Sequence, residues 1–309
     1  MQSPAVIEQS APAKIILCGE HAVVYGQPAI ALPLLNLRAV AQMSSATRPL
    51  WVEAPDVGEQ ADVANEPQHP LALIVRLTLA HLGKPIPHAR IVVRSHIPIG
   101  ANLGSGAAVS VAIARAIAAW HGVTLPAEAA SALAFEVEKI YHGTPSGVDN
   151  TVIAWEQPVW FVKGQPPVIL PETRTRLHLV IASVGFTTPT RVTVGDVRAG
   201  WQRDPQRYES IFARIGALVY AAREALLQDD LPRLGEAMNA NHALLQELGV
   251  SCVELDRLCA AARAAGALGA KMSGGGRGGN MVALAADAAQ AAHISKALLA
   301  AGAAQLTLA

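Results

Sequence analysis

The sequence predicts an α+β chain of two domains, and three observations predict it. They are its length and apolar content, the irregular alternation of short strand-like and longer helix-like stretches, and a Pro- and charge-rich segment over residues 165–176. The chain has 309 residues, 51% of them hydrophobic and 16% charged, which suffices for a large buried core and for more than one domain. The 165–176 segment puts the boundary near residue 175, which divides the chain into domains over 1–175 and 176–309.

The elements follow in order. Val-, Ile- and Leu-rich stretches at 14–17, 29–34, 38–43 and 90–96 predict short strands, with a polar stretch over 53–69 between the third and the fourth. Residues 71–82 carry a helical period. Two helices are expected after a glycine-rich stretch, over 107–120 and 127–141, the second opened by Pro126 with Glu128 in its first turn. Residues 151–155 and 158–163 read as a hairpin-like pair. Beyond the linker, 177–184 predicts a strand, 207–228, 231–247 and 255–265 predict helices, and 281–284 predicts another strand. The Ala-rich run 288–301 predicts a last helix, stopped by Gly302 before the apolar residues 306–308. No internal repeat is present.

Composition narrows the function. Lys plus Arg and Asp plus Glu number 24 each, and the pI is about 7.2, so there is no long-range field to collect nucleic acid or an anionic membrane. No apolar stretch is long enough to span a bilayer, and no membrane partner is expected. Cys18, Cys252 and Cys259 form an odd set without metal-type spacing, in a chain whose start lacks a signal-peptide pattern, so a cytoplasmic location is expected. Small-molecule chemistry fits these properties.

Two glycine-rich stretches each lie where a helix is expected to begin: PIGANLGSG over 98–106, and KMSGGGRGG over 271–279. Glycine lets backbone approach a ligand, and a helix start offers unpaired N–H groups and the positive end of the dipole, which together favour phosphate. The first stretch has no Lys followed by Ser or Thr and does not fit the dinucleotide fingerprint, so it points to another way of holding a nucleotide. A turn that uses glycine for geometry alone explains one such loop equally well. Near the amino end, Lys14 starts a strand and Glu20 and His21 follow its end, where side chains converge on a crevice; a surface Lys and a capping Glu are the plainer alternative. Glu138 lies near a helix C-terminus, where an acid opposes the dipole, and Asp149 sits in a Gly- and Pro-rich loop. Mg²⁺ on nucleotide phosphates accounts for Glu138; so does solvent exposure, or pairing with Lys139 or His142.

On these residues the chain resembles the GHMP small-molecule kinase superfamily, which includes galactokinase, homoserine kinase, mevalonate kinase and phosphomevalonate kinase. It is most similar to the mevalonate kinase family. The resemblance covers nearly the whole chain and rests on Lys14 with GEHAVVYG at 19–26, LGSGAA at 103–108, HGTPSGVDN at 142–150 and GAKMSGGG at 269–276. MNANH at 238–242 and LGVS at 248–251 are similar to the mevalonate kinases in particular. A galactokinase has an acidic residue where this chain has Ala22, and phosphomevalonate kinases usually lack a His at position 21.

The resemblance implies a two-domain GHMP-kinase-like fold. Its N-terminal nucleotide-binding and catalytic domain is mixed α/β with a β-rich start, and its C-terminal domain is a ferredoxin-like α/β sandwich. ATP and Mg²⁺ are expected in the cleft between domains, with the γ-phosphoryl group passing to the 5-hydroxyl of mevalonate, a step of isoprenoid precursor biosynthesis. By the same resemblance Asp149 is the catalytic carboxylate and Lys14 the cation beside it, a pairing suited to a transfer that needs positioning and charge neutralisation. Glu138 is implied as a Mg²⁺ ligand, and Glu20, His21 and Thr190 as substrate contacts. Pro98, Gly100, Ala101, Asn102, Leu103, Gly104, Ser105, Gly106 and Ala107 are implied to wrap the ATP phosphates, with Ser273, Gly274 and Gly275 in support.

The chain departs from the family in two places. Ser105 is followed by Gly106 where the family has a second serine whose hydroxyl reaches the metal, so either Ser105 or water takes that position. Arg277 stands where glycine is usual, either as an added clamp on phosphate or pointing to solvent. Another GHMP-type kinase acting on phosphomevalonate, homoserine or a sugar is the alternative, and a homodimer is compatible with the reading.

Overall fold

The computed structural model describes residues 6–98, 102–142, 145–171 and 174–309. Two compact units emerge: Met1–Lys14, Pro33–Ile99 and Leu103–Gln157 form the first, and Ile15–Leu32, Gly100–Asn102 and Pro158–Ala309 form the second. This partition differs from one at residue 175 because the chain enters the second unit early. The division falls inside two long strands, β1 (Ile7–Cys18) after Lys14 and β2 (Ala29–Ser45) after Leu32.

In the first unit, residues 39–45 of β2 pair antiparallel with β5 (Ala89–Ser95). β3 (Trp51–Ala54) runs parallel to β5 and pairs antiparallel with β4 (Glu59–Asp62). Among the described residues four helices complete the unit: α1 (Pro70–Leu82), α2 (Ser105–Trp120), α3 (Ala127–His142) and α4 (Val148–Trp155). α2 packs against each of the other three. Its Ala107, Ala108, Ala112, Ala114, Ala116 and Ala118 are all fully buried, and their small side chains let neighbouring helices approach on several sides.

In the second unit, residues 29–31 of β2 pair with β6 (Val159–Phe161), which pairs in turn with β7 (Val168–Ile169). The larger part follows the chain order β8 (His178–Ser183), α5 (Thr190–Arg203), α6 (Pro205–Gln228), α7 (Leu231–Glu247), α8 (Val253–Ala264), β9 (Gly269–Ser273), β10 (Asn280–Ala285), α9 (Ala288–Ala300) and β11 (Gln305–Leu308). The sheet order is β11-β8-β10-β9, antiparallel throughout. Numbered from β8 this is 4-1-3-2 with helices between β8 and β9 and between β10 and β11, the ferredoxin-like arrangement expected. α7 and α8 pack on β9, and α8 and α9 on β10. β10 is buried along its whole length, as a central strand covered by helices should be.

Several expected elements differ. The strands expected at 29–34 and 38–43 are one strand: Pro33 lies between the residues paired with β6 and those paired with β5, so its missing N–H interrupts neither ladder. Residues 151–155 form no hairpin. They lie in α4, where Thr151, Val152 and Ile153 are buried against other helices, and tertiary packing overrides their β propensity. The strand at 159–161 pairs with β2 instead. α5, β7, β9 and β11, and the strands β3 and β4 at the expected polar stretch, match no expected element, and the glycine-rich residues 274–279 join β9 to β10 and begin no helix.

Candidate active site

In the first unit, Lys14 lies on β1 with its side chain 4% exposed, and its Nζ stands 3.1 Å from Oδ2 of Asp149. The backbone N–H of Lys14 donates to the Leu103 carbonyl (2.9 Å), which fixes the strand against the turn that begins α2. Gly104 caps α2 at φ 78°, and a Cβ built there falls 2.8 Å from Ile153 Cδ1 and 3.0 Å from Lys14 Cγ. The position thus needs glycine twice, for its left-handed backbone and to let the lysine stem lie across it.

Asp149 is held from the other side. It occupies the first turn of α4, where the helix dipole favours an anion. Ser146 Oγ accepts from the Val148 N–H (3.3 Å), Thr151 Oγ1 donates to the Gly147 carbonyl (2.6 Å), and Asn150 Nδ2 donates to Ser131 Oγ (2.8 Å) on α3. These bonds pin the residues on both sides of Asp149, while its own side chain stays 26% exposed.

Glu138, on the last turns of α3, is 4% exposed. Solvent exposure therefore does not explain it, and Lys139 is engaged with Glu136 (2.6 Å). A buried carboxylate and the half-buried Ser105 hydroxyl, at the N-terminus of the packed neighbour α2, are hard oxygen donors of the kind Mg²⁺ takes. Among the described residues no cluster of three or more His, Cys, Asp or Glu residues forms a metal cage.

In the second unit, Glu20 and His21 follow the end of β1 and are 1% and 6% exposed. Glu20 Oε1 pairs with Lys271 Nζ, on β9 and fully buried, which also donates to the Met272 carbonyl (2.7 Å). His21 sits at φ 60° before a one-turn 3-10 helix over Ala22–Tyr25, with Nε2 3.0 Å from the Gly275 carbonyl. Burial lowers its pKa to about 4, against a smaller upward pull from that carbonyl. It is therefore neutral near pH 7, with the proton on Nε2 facing Gly275 and Nδ1 left as an acceptor. Tyr25 stacks on Phe212 of α6 with ring centroids 4.1 Å apart, anchoring the turn that carries His21.

Thr190, the first residue of α5, lies against Gly275: a Cβ built on that glycine falls 2.8 Å from Thr190 Oγ1. The other residues of the glycine-rich stretch over 271–279 are largely engaged in shaping it. Ser273 Oγ donates to the Ile16 carbonyl (2.9 Å), and Asn102 lies beside Gly274 and Gly279. The Arg277 guanidinium pairs with Asp196 of α5 and donates to the Gly249 carbonyl (3.1 Å). It is tied back to its own unit and does not point freely into solvent.

Lys14 is thus placed with Asp149, and Glu20 and His21 with Lys271 and Gly275 of the second glycine-rich stretch. Pro98, Leu103, Ser105, Gly106 and Ala107 flank or begin α2 in the first unit, whereas Gly100 and Ala101, expected at the phosphates, lie outside the described residues. Sequence reasoning assigned no role to Lys271; its one signal was a charged residue in an otherwise apolar strand segment.

The family model of the GHMP kinases N terminal domain matches residues 71–156, and that of the GHMP kinases C terminal matches 222–304. A mevalonate kinase of Thermococcus gammatolerans is 38% identical over 304 residues, 90% of this chain and 89% of that protein. A mevalonate kinase of Pyrococcus horikoshii is 35% identical over 301 residues, covering 89% and 88%. The crystal structure of L. major mevalonate kinase in complex with R-mevalonate superposes with a TM-score of 0.84 at 32% identity, covering 97% of this chain and 94% of that one.

Proposed function

This chain belongs to the GHMP kinase family, and we propose that it transfers the γ-phosphoryl group of ATP to the 5-hydroxyl of mevalonate, giving 5-phosphomevalonate and ADP. The observation that carries the chemistry is the ion pair of Lys14 and Asp149 at 3.1 Å. Asp149 accepts the proton of the attacking hydroxyl as the oxygen gains charge. The Lys14 ammonium stabilises that developing charge and holds the carboxylate in place. Lys14 is nearly removed from water, so its field acts with little screening.

Glu138 and Ser105 are the residues that would hold Mg²⁺, and the ion when bound neutralises phosphate oxygens during transfer. Gly106 supplies no hydroxyl, so Ser105 is the side-chain alcohol of that turn. Pro98, Gly100 to Ala107 and Ser273 to Gly275 are assigned to the nucleotide, with the α2 N-terminus offering unpaired N–H groups to phosphate. Glu20, His21 and Thr190 are assigned to the acceptor. No helix among the described residues is long and apolar enough to cross a membrane, and three free cysteines support a cytoplasmic location.

The test is ADP release by the purified chain with ATP and Mg²⁺ over mevalonate, phosphomevalonate, homoserine and galactose. Turnover with mevalonate well above the others is expected. Preferred turnover of another acceptor overturns the substrate assignment, and no turnover with any overturns the activity.

A further inference from the structure

Lys271 and Glu20 form a pair for which core packing supplies no reason. Both are withdrawn from water, at 0% and 1% exposure. Lys271 lies within β9 opposite Val282 of β10, in a strand whose residues are all buried, where an apolar side chain is the ordinary choice. Buried ion pairs are commonly no more stabilising than apolar residues of the same shape. Moreover, the pairing is incomplete: Lys271 engages Oε1, while the buried Oε2 of Glu20 has no hydrogen-bond partner among the described residues.

An ionised carboxylate oxygen accepts hydrogen bonds and donates none, so what satisfies Oε2 must bring a proton. An acceptor in this state fits an alcohol and disfavours an anionic group. Carboxylate or phosphate at Oε2 would be repelled.

We infer that Lys271 is a positioning residue for the acceptor site: by engaging Oε1 and the Met272 carbonyl together, it fixes the Glu20 carboxylate so that Oε2 receives a hydroxyl of the bound substrate. The inference rests on the mevalonate reading above. It assigns Lys271 an effect on substrate that passes entirely through Glu20. Lys271→Met alone leaves the carboxylate buried without its counter-ion, so the decisive variant replaces both charges by neutral residues of similar size.

Steady-state kinetics of the full chain should be measured for wild type, Glu20→Gln, Lys271→Met and the double variant, each with mevalonate varied and with ATP varied, alongside thermal melts. The KM for mevalonate is expected to rise about tenfold or more in Glu20→Gln and in the double variant, with the KM for ATP within about twofold of wild type. The double variant should match Glu20→Gln, since Lys271 has nothing to position once the carboxylate is gone. A double variant with the wild-type KM for mevalonate overturns the inference, as does a cycle in which Lys271→Met adds its full effect in the Glu20→Gln background. Should wild type itself fail to phosphorylate mevalonate, the functional reading fails instead, and the same cycle is read on whichever alcohol of the panel turns over.

Discussion

His21 offers a prediction whose size follows from its surroundings. Burial lowers the imidazole pKa from 6.5 to about 4, so the folded protein resists protonation that the unfolded chain accepts. Between those two values the unfolded state binds more protons, and stability therefore rises with pH across the window. The contribution is complete above about pH 6.5 and is lost as pH falls toward 4. Each pH unit inside the window is worth about 1.4 kcal/mol, so lowering the pH from about 7.5 to about 5 should remove about 2 kcal/mol through this residue. His21→Gln removes the titration while its amide can still donate to the Gly275 carbonyl, and it isolates the effect from every other titrating group. Urea denaturation of both proteins, followed by tryptophan fluorescence at the two pH values, reads the difference. Wild type should lose about 2 kcal/mol more than the variant. Parallel losses would show that His21 is not held neutral by its burial, and the tautomer assigned at Gly275 would fall with it.

Two further predictions concern the first unit. Asp149→Asn should lower kcat by about 10² to 10⁴ while nucleotide binding, followed by fluorescence titration, is retained; an unchanged kcat removes Asp149 from the chemistry. Glu138→Gln should raise the Mg²⁺ concentration for half-maximal rate by about tenfold or more, because an ionic oxygen ligand becomes a neutral one, and an unaltered metal titration rejects the assignment.

The parts of the fold legible in the sequence are those whose signals are local. α7 is set by an Asp230 cap with Pro at its start and a clear apolar stripe, and the sequence reading placed it at the observed bounds. Gly104 and the run that follows announced the α2 start for the same reason. α4 was not legible, because Thr151, Val152 and Ile153 carry β propensity and only their burial between helices selects the helix. α5 was missed because its mean hydropathy is low and it buries only Thr193, Val197 and Gly200. Of the site, Lys14, Asp149, Glu20 and His21 were visible as motif residues. The Lys271 to Glu20 pair joins positions 251 apart, and nothing near either residue announces the other.

The two lysine-carboxylate pairs differ in a way that bears on which acid can do chemistry. Asp149 is 26% exposed beside a lysine at 4%, whereas Glu20 and Lys271 are at 1% and 0%. A general base must meet its proton donor and then release the proton, so it needs an open side; a carboxylate that only orients a hydroxyl is better closed off and fixed. The contrast in exposure therefore suits the two acids to the two roles proposed for them. It also accounts for the different scaffolds. Asp149 stands at a helix start, where the dipole compensates an anion left partly in water, while Glu20 lies too deep for that and takes a full counter-charge from β9.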